Sequence, residues 1–252
     1  MMKSLGLAVG LALGAGVALS AASANAVVFV SGPGGGGQTC YGNTGSSFTG
    51  LDAAGNPQGL GAGADCVQIT PHPAWKSGDQ ANIMVDDNSA STLDPHPVWI
   101  SYADTGYGGS TLATPTGNTD VNQPNMIITQ SFHLGSGGLA SLRQWADDTV
   151  KVYVDGVGLS GADIENFTQN TCANGPPGCQ PGESSFGQVF LNAGDHVFTW
   201  EVWQVGTGQD TTSNPFGLLY AGQVAVPEPA TIALFGFGLL GLGVASRRRR
   251  PS

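Results

Sequence analysis

Charge is scarce in this chain. Asp, Glu, Lys and Arg make up 10% of its 252 residues, where soluble domains carry about a quarter. Basic residues are scarcer still. Between Val27 and Val226, Lys76, Arg143 and Lys151 stand against 17 acidic residues, a net of −14. An acidic body repels phosphate backbones, which argues against nucleic acid as a partner and leaves cations or neutral polymers. Sustained helical periodicity is missing too, apart from a turn around Leu139–Trp145, so neither a helix bundle nor an α/β fold is expected. Catalytic spacing is the third absence. His72, His96, His133 and His196 never fall at a zinc-protease spacing, and no Gly-x-Ser-x-Gly elbow occurs. Many acids could be paired on paper as a glycosidase dyad, but no motif marks any of them. The chain is therefore not expected to be an enzyme.

Glycine is abundant instead, with 40 residues beside a hydrophobic fraction of 40%. That apolar content supports a core, and that much glycine favours turns over long helices. From Cys66 onward, short strand-like runs alternate with turn clusters: Cys66–Thr70, Val98–Tyr102, Asn125–Leu134, Thr149–Val154, Gly187–Leu191, His196–Val205 and Gly217–Val224. Val150, Val152 and Val154 share one face while Lys151 and Tyr153 take the other, and Asp155-Gly156 follows as a hairpin-type turn. Phe198, Trp200 and Val202 likewise share a face, opposite Val197, Thr199 and Trp203. Many short strands with Gly and Pro turns predict a mostly β chain with a single antiparallel, jelly-roll-like β-sandwich over residues 64–224. Ahead of it, residues 27–63 read as a Gly-rich segment with one short strand, Val27–Val30, and then loop.

All five tryptophans lie in this body. Aromatic faces pack on sugar rings while Asp, Asn and Gln take the hydroxyls. Trp99 and Trp200 fall at core positions of strands, which leaves Trp75 and Trp203, with Trp145, as candidates for an exposed ligand-binding face. Asp86-Asp87 and Asp147-Asp148 are paired oxygen donors near expected loops, the chemistry of a structural calcium site, although neither has helix-loop-helix spacing. The same pairs read as a turn cap beside a solvated carboxylate, and that reading is preferred. No other cofactor is expected.

The four cysteines, Cys40, Cys66, Cys172 and Cys179, form an even set, which in an exported chain favours disulfides. Three pairings are open. Cys40–Cys66 with Cys172–Cys179 is preferred, because the second pair closes a short loop rich in turn formers.

Both chain ends read as addresses. Lys3 precedes an apolar, Gly/Ala/Leu-rich stretch from Leu5 to Ala22, closed by Ala24-Asn25-Ala26, so residues 1–26 are predicted to be a secretory signal peptide. Residues 226–252 begin Val226-Pro227-Glu228-Pro229, continue uncharged from Ala230 to Ala245, and end in Arg247, Arg248, Arg249 and Arg250 ahead of Pro251. Sixteen helical residues reach about 24 Å, short of a hydrocarbon core of about 30 Å unless arginines snorkel or the bilayer thins. The arginine block fixes that end in the cytoplasm and leaves the body outside.

The order Pro-Glu-Pro, Gly/Leu-rich span and arginine cluster resembles the PEP-CTERM sorting signal of Gram-negative bacteria that make extracellular polysaccharide. The resemblance implies a membrane-embedded, exosortase-type processing enzyme as partner. It also implies an inner-membrane-anchored intermediate, and a final place at the cell surface or in the extracellular matrix. In the body, Trp145-Ala146-Asp147-Asp148 leading into Val152-Tyr153-Val154-Asp155-Gly156, with Ala193–His196 and Asn214–Leu218, resembles jelly-roll, galactose-binding-like modules. That likeness implies a non-catalytic carbohydrate-binding or adhesive sandwich, in some cases with structural calcium. The leading expectation is an exported, non-catalytic surface protein associated with polysaccharide. A secreted hydrolase acting on such polymers and a self-associating structural protein are the alternatives.

Overall fold

The computed structural model describes residues 27–32, 37–43, 47–75, 96–113, 122–159, 185–204 and 208–225. All of them belong to one unit, Asn25–Val226. The chain's local logic is clearest at the hairpin read from its alternation. Strand β9 is Thr149–Val154, with Val150, Val152 and Val154 buried, and β10 is Val157–Gly158. Val154 pairs with Val157, so Asp155 and Gly156 form a two-residue loop with φ of 49° and 75°. Positive φ at both positions is what a primed turn needs to match strand twist, and Asp and Gly tolerate it best.

The remaining strands are β1 Val27–Val30, β2 Gln38–Gly42, β3 Gly50–Leu51, β4 Pro57–Gln58, β5 Val67–Gln68, β6 Ile100–Ser101, β7 Met126–Leu134, β8 Gly138–Asp147, β11 Ser185–Leu191, β12 Gly194–Trp203 and β13 Gly217–Ala225. One sheet runs β11-β8-β13-β6-β5, with β1 also on β13; the other runs β10-β9-β12-β7-β2; β3 and β4 form a separate hairpin. Every pairing is antiparallel. The described residues contain no helix.

The two larger sheets pack face to face through alternate residues. Ala140, Leu142 and Ala146 of β8 and Leu218, Tyr220 and Val224 of β13 meet Met126 and Ile128 of β7 and Phe198, Trp200 and Val202 of β12 in one buried cluster. Each large side chain fully buried this way contributes about 1.5–3 kcal/mol. Phe29, Phe132 and Phe198 stack across the layers at centroid distances of 5.0 to 5.8 Å. Gly222 faces Phe29 in the ladder, and a Cβ there would lie 2.0 Å from the Phe29 ring. The absent side chain is the space the aromatic fills.

The polar groups of Tyr220, Trp200 and Gln144 inside this core are matched. Tyr220 Oη donates to Gln130 Oε1 at 2.9 Å and accepts from Gln38 Nε2 at 2.6 Å. Trp200 Nε1 donates to Gln144 Oε1 at 3.0 Å, and Gln144 Nε2 donates to Ser185 Oγ at 2.7 Å. An unmatched buried amide would cost about 1–3 kcal/mol, so these contacts fix one register of sheet on sheet.

The structure corrects two readings. The turn expected as helical around Leu139–Trp145 is strand β8, central in its sheet between β11 and β13. Its Leu, Ala, Arg and Gln favour helix locally, but hydrogen bonding on both sides overrides that preference. Residues 27–63 are also not separate from the sandwich: β1 pairs with β13 and β2 with β7, so the segment contributes to both layers. Strands of four and five residues among glycines give little local signal. The preferred Cys40–Cys66 disulfide is present, with Cα atoms 5.1 Å apart. It ties β2 in one sheet to the residue before β5 in the other. Cys172 and Cys179, the other preferred pair, lie outside the described residues.

Candidate functional site

The outer face of the β10-β9-β12-β7-β2 sheet is roofed by residues 47–59. Thr199 Oγ1 of β12 donates to the Gly55 carbonyl at 2.6 Å, and Gln123 Nε2 donates to the Phe48 carbonyl at 2.9 Å. Asp52 builds the turn between β3 and β4 by accepting from the backbone N–H groups of Ala54 and Asn56 at 2.9 and 2.8 Å. Those hydrogen bonds, first of all from Asn56, hold its carboxyl below the usual carboxylate range.

Between roof and sheet lies a groove of about 400 Å³ lined by Phe48, Leu51, Gln123, Lys151, Tyr153 and Glu201, among others. Lys151 and Tyr153 point into it because they occupy the outward positions of β9, and Glu201 the same face of β12. Tyr153 Oη donates to Glu201 Oε2 at 3.0 Å. Burial pushes the Glu201 carboxyl up, against the pull of the Tyr153 hydroxyl and the Lys151 charge. Lys151 Nζ also lies 5.6 Å from the centre of the Trp203 ring, within cation–π range. The groove thus offers a phenol, an ammonium, a carboxyl and amides beside apolar side chains. Glu201 is the one acid among the described residues that line it.

The tryptophans nominated for an exposed face are not exposed. Trp145 and Trp203 are fully buried, and Trp75 is 9% exposed. Trp75 meets Trp99 at a centroid distance of 4.2 Å with the rings tilted, and both pack with Ile69, Trp145 and Leu219 in a second cluster outside the β11-β8-β13-β6-β5 sheet. Alternation placed Trp203 opposite Phe198 and Trp200, and the structure places Trp145 on the outer face of β8; the segments covering those faces had no signature of their own.

Asp147 and Asp148 are buried as well, at the β8–β9 junction. Burial pushes the Asp147 carboxyl well up, reinforced by the charge of Asp148 and its hydrogen bond, while a hydrogen bond from Trp75 opposes this. Both carboxyls are buried, so neither is the solvated partner of a turn cap. Among the described residues, no group of three or more His, Cys, Asp or Glu is arranged to hold a metal. Asp86 and Asp87 lie outside the described residues, as do Val226, Pro227, Glu228, Pro229 and Arg247–Arg250.

Sequence reasoning missed Glu201 and Gln123 as site residues. Nothing local marks Glu201; only the outward phase of Lys151 and Tyr153 was visible.

No curated protein matches the chain. Among solved structures, a family 35 carbohydrate binding module from Clostridium thermocellum aligns at 11% identity over 55% of this chain and 86% of its own, with a TM-score of 0.28. A Paenibacillus cycloisomaltooligosaccharide glucanotransferase complexed with cycloisomaltoheptaose aligns at 17% identity over 55% of this chain, with a TM-score of 0.26, and the match spans 16% of that enzyme. An α-xylosidase from Xanthomonas citri aligns at 11% identity over 80% of this chain and 20% of its own, with a TM-score of 0.21. TM-scores this low give these likenesses no weight for the chemistry of the groove. The segment outside the described body is different. Residues 225–250 match the PEP-CTERM protein-sorting motif, so this chain is an exported protein that carries the PEP-CTERM sorting signal and is addressed through a membrane-anchored intermediate to exosortase.

Proposed function

We propose that the body is a non-catalytic module of the cell surface or extracellular matrix that holds polysaccharide in the groove beneath residues 47–59. The observation that supports this is the lining itself: Tyr153, Lys151, Glu201 and Gln123 line one groove together with Phe48 and Leu51. Tyr153 supplies a ring face for a sugar, and the amide and charged groups take its hydroxyls. A single acid among the described lining residues, already hydrogen-bonded to Tyr153, supports binding rather than hydrolysis. Sorting to the surface brings such a groove to where extracellular polymers are.

Retention of residues 27–226 on immobilised neutral and acidic bacterial exopolysaccharides is the test. Retention is expected, and Tyr153→Ala should weaken it by about tenfold, the loss of one stacked ring. No retention on any polymer sinks the reading. Release of reducing ends by the wild type, abolished by Glu201→Gln, would replace it with a hydrolase.

A further inference from the structure

Strand β1 is both the first strand of the body and part of its core. It pairs with β13 in the register Val27↔Val224, Val28↔Gln223, Phe29↔Gly222 and Val30↔Ala221. Strand β8 lines one edge of β13 along its whole length, from Gly217 to Ala225. On the other edge β6 meets it at Leu218 alone, so β1 supplies the ladder for residues 221–224 there. Phe29 is buried in the space left at Gly222, with ring centroids 5.8 Å from Phe132 and 5.0 Å from Phe198. Val30 is buried against Ala221. Just beyond, the Ser31 N–H donates to the Tyr220 carbonyl at 3.0 Å, and Ser31 Oγ accepts from the Tyr220 N–H at 3.1 Å. Pulling β1 away would expose the aromatic cluster and strip backbone groups of β13 of their partners, a costly opening.

The sequence sets a cleavage signal against this strand with no spacer. Ala24-Asn25-Ala26 ends the segment that reads as a signal peptide, and Val27, the next residue, is the first rung of the ladder. Susceptibility to a peptidase follows the burial and hydrogen bonding of the backbone around the bond. A peptidase that holds its substrate extended takes up the backbone on both sides of that bond, as an edge takes up an added strand. Val27–Val30 cannot serve such a cleft and β13 at the same time. The partner strand is the last of the body, and synthesis runs from the N-terminus. Strand β1 therefore waits unpaired until almost the whole body exists, which leaves an interval for cleavage. The sorting signal begins at Ala225, the last residue of β13, so the closing strand and that signal arrive together.

We propose that hydrolysis of the Ala26–Val27 bond must precede closure of the β1–β13 ladder, and that a chain which closes the ladder first keeps residues 1–26. In that hydrolysis water adds across the amide, leaving a carboxylate on Ala26 and an ammonium on Val27. The ladder then holds the new N-terminus beside Val224. This order rests on the signal-peptide reading of residues 1–26 and is independent of what the groove binds.

Digestion of the full-length chain, folded in detergent, by a bacterial signal peptidase tests it, with release of residues 1–26 followed by mass spectrometry. The full chain closes this ladder with residues 1–26 still attached. A synthetic peptide of residues 1–36, which lacks β13, should be cut at least about tenfold faster than the folded chain, the factor for one buried aromatic to leave its seat. Gly222→Ala, whose Cβ would lie 2.0 Å from the Phe29 ring, loosens β1 far from the scissile bond in sequence and should speed cleavage of the folded chain. A Val28→Cys/Gln223→Cys pair staples one rung, since antiparallel partners lie about 4.5–5.5 Å apart at Cα, a span that a disulfide fits. Oxidation of that pair should abolish the residual cleavage, and reduction should restore it. A folded wild type cut as fast as the peptide overturns the order, as does an oxidised staple cut as fast as its reduced form. A peptide that is not cut at all overturns it by removing the bond itself, and leaves the sorting address at residues 225–250 standing.

Discussion

Asp155 and His196 form an ion pair that fastens the β9–β10 turn to strand β12. His196 Nδ1 lies 2.8 Å from Asp155 Oδ2, and Nε2 lies 3.0 Å from the Asn192 carbonyl. Both partners only accept, so the ring donates twice and is held as the imidazolium. Asp155 Oδ1 meanwhile accepts from the Val197 N–H at 2.9 Å. A residue at φ 49°, chosen for its turn, thereby also holds the neighbouring strand.

This pair makes stability pH-dependent on the alkaline side. Burial alone would lower the His196 value, but hydrogen bonds to Asp155 and Asn192 and the charges of Asp155 and Asp195 outweigh it and leave it raised. A raised histidine stabilises the fold fully below the ordinary histidine value and loses that contribution as pH rises through the folded one. Melting temperatures measured in pH steps should fall across that window. Asp155→Asn keeps a residue suited to the turn and removes the charge; it should cost about 1–3 kcal/mol at acidic pH and flatten the step. An unchanged step in the variant would show that His196 is not its source.

Asp147 acts with the opposite chemistry but the same sign. Its carboxyl is raised by burial and by Asp148, so the folded state holds a proton that the unfolded state releases. Stability from this group is greatest below the ordinary value of 3.8 and declines as pH rises toward the folded value. Asp147→Asn keeps an acceptor for Trp75 and removes the ionisation. Chemical denaturation at pH steps from acid to neutral should give a flatter profile for the variant, with no loss of stability at neutral pH. A variant markedly weaker at neutral pH would count against a raised Asp147 carboxyl as the source of the pH dependence.

The Cys40–Cys66 bridge closes a sequence separation of 26 residues. By the loop-entropy argument it contributes about 3 kcal/mol, and it also joins the two layers. Both sulfurs are buried, so reductant alone should act slowly on the native body and quickly once denaturant opens it. A Cys40→Ala/Cys66→Ala double variant with the wild-type denaturation midpoint would refute this contribution.

Every tryptophan is buried, Trp75 the least so. Native fluorescence should be blue-shifted and little quenched by iodide, and polysaccharide should leave that quenching unchanged. Trp145→Ala should destabilise by about 3–5 kcal/mol through the cavity it leaves. Strong iodide quenching of the native body would contradict the covered faces.

Much of the fold was legible because its signals are local. The phase of Val150, Val152 and Val154 against Lys151 and Tyr153 gave β9 its two faces, and Asp155-Gly156 gave the turn that follows. Strand β8 was misread because Trp145 is covered on one face while Ala146 is buried on the other, which erases alternation. The groove was not legible, because Phe48 and Glu201 are separated by more than half the chain. Only the Thr199–Gly55 and Gln123–Phe48 contacts bring the roof across the sheet.

The division between sequence and tertiary structure follows from range. By itself the sequence determined the sorting address at residues 225–250, the β class and the primed turn, because each depends on residues close in the chain, whereas it left three cysteine pairings open and the structure shows Cys40–Cys66. Tertiary structure alone decided that the outward tryptophans are covered, that Asp147 and Asp148 share a burial site, and that Tyr153 and Glu201 face a common groove. Those outcomes depend on which segment crosses which sheet, and no local pattern encodes a cover supplied from so far along the chain.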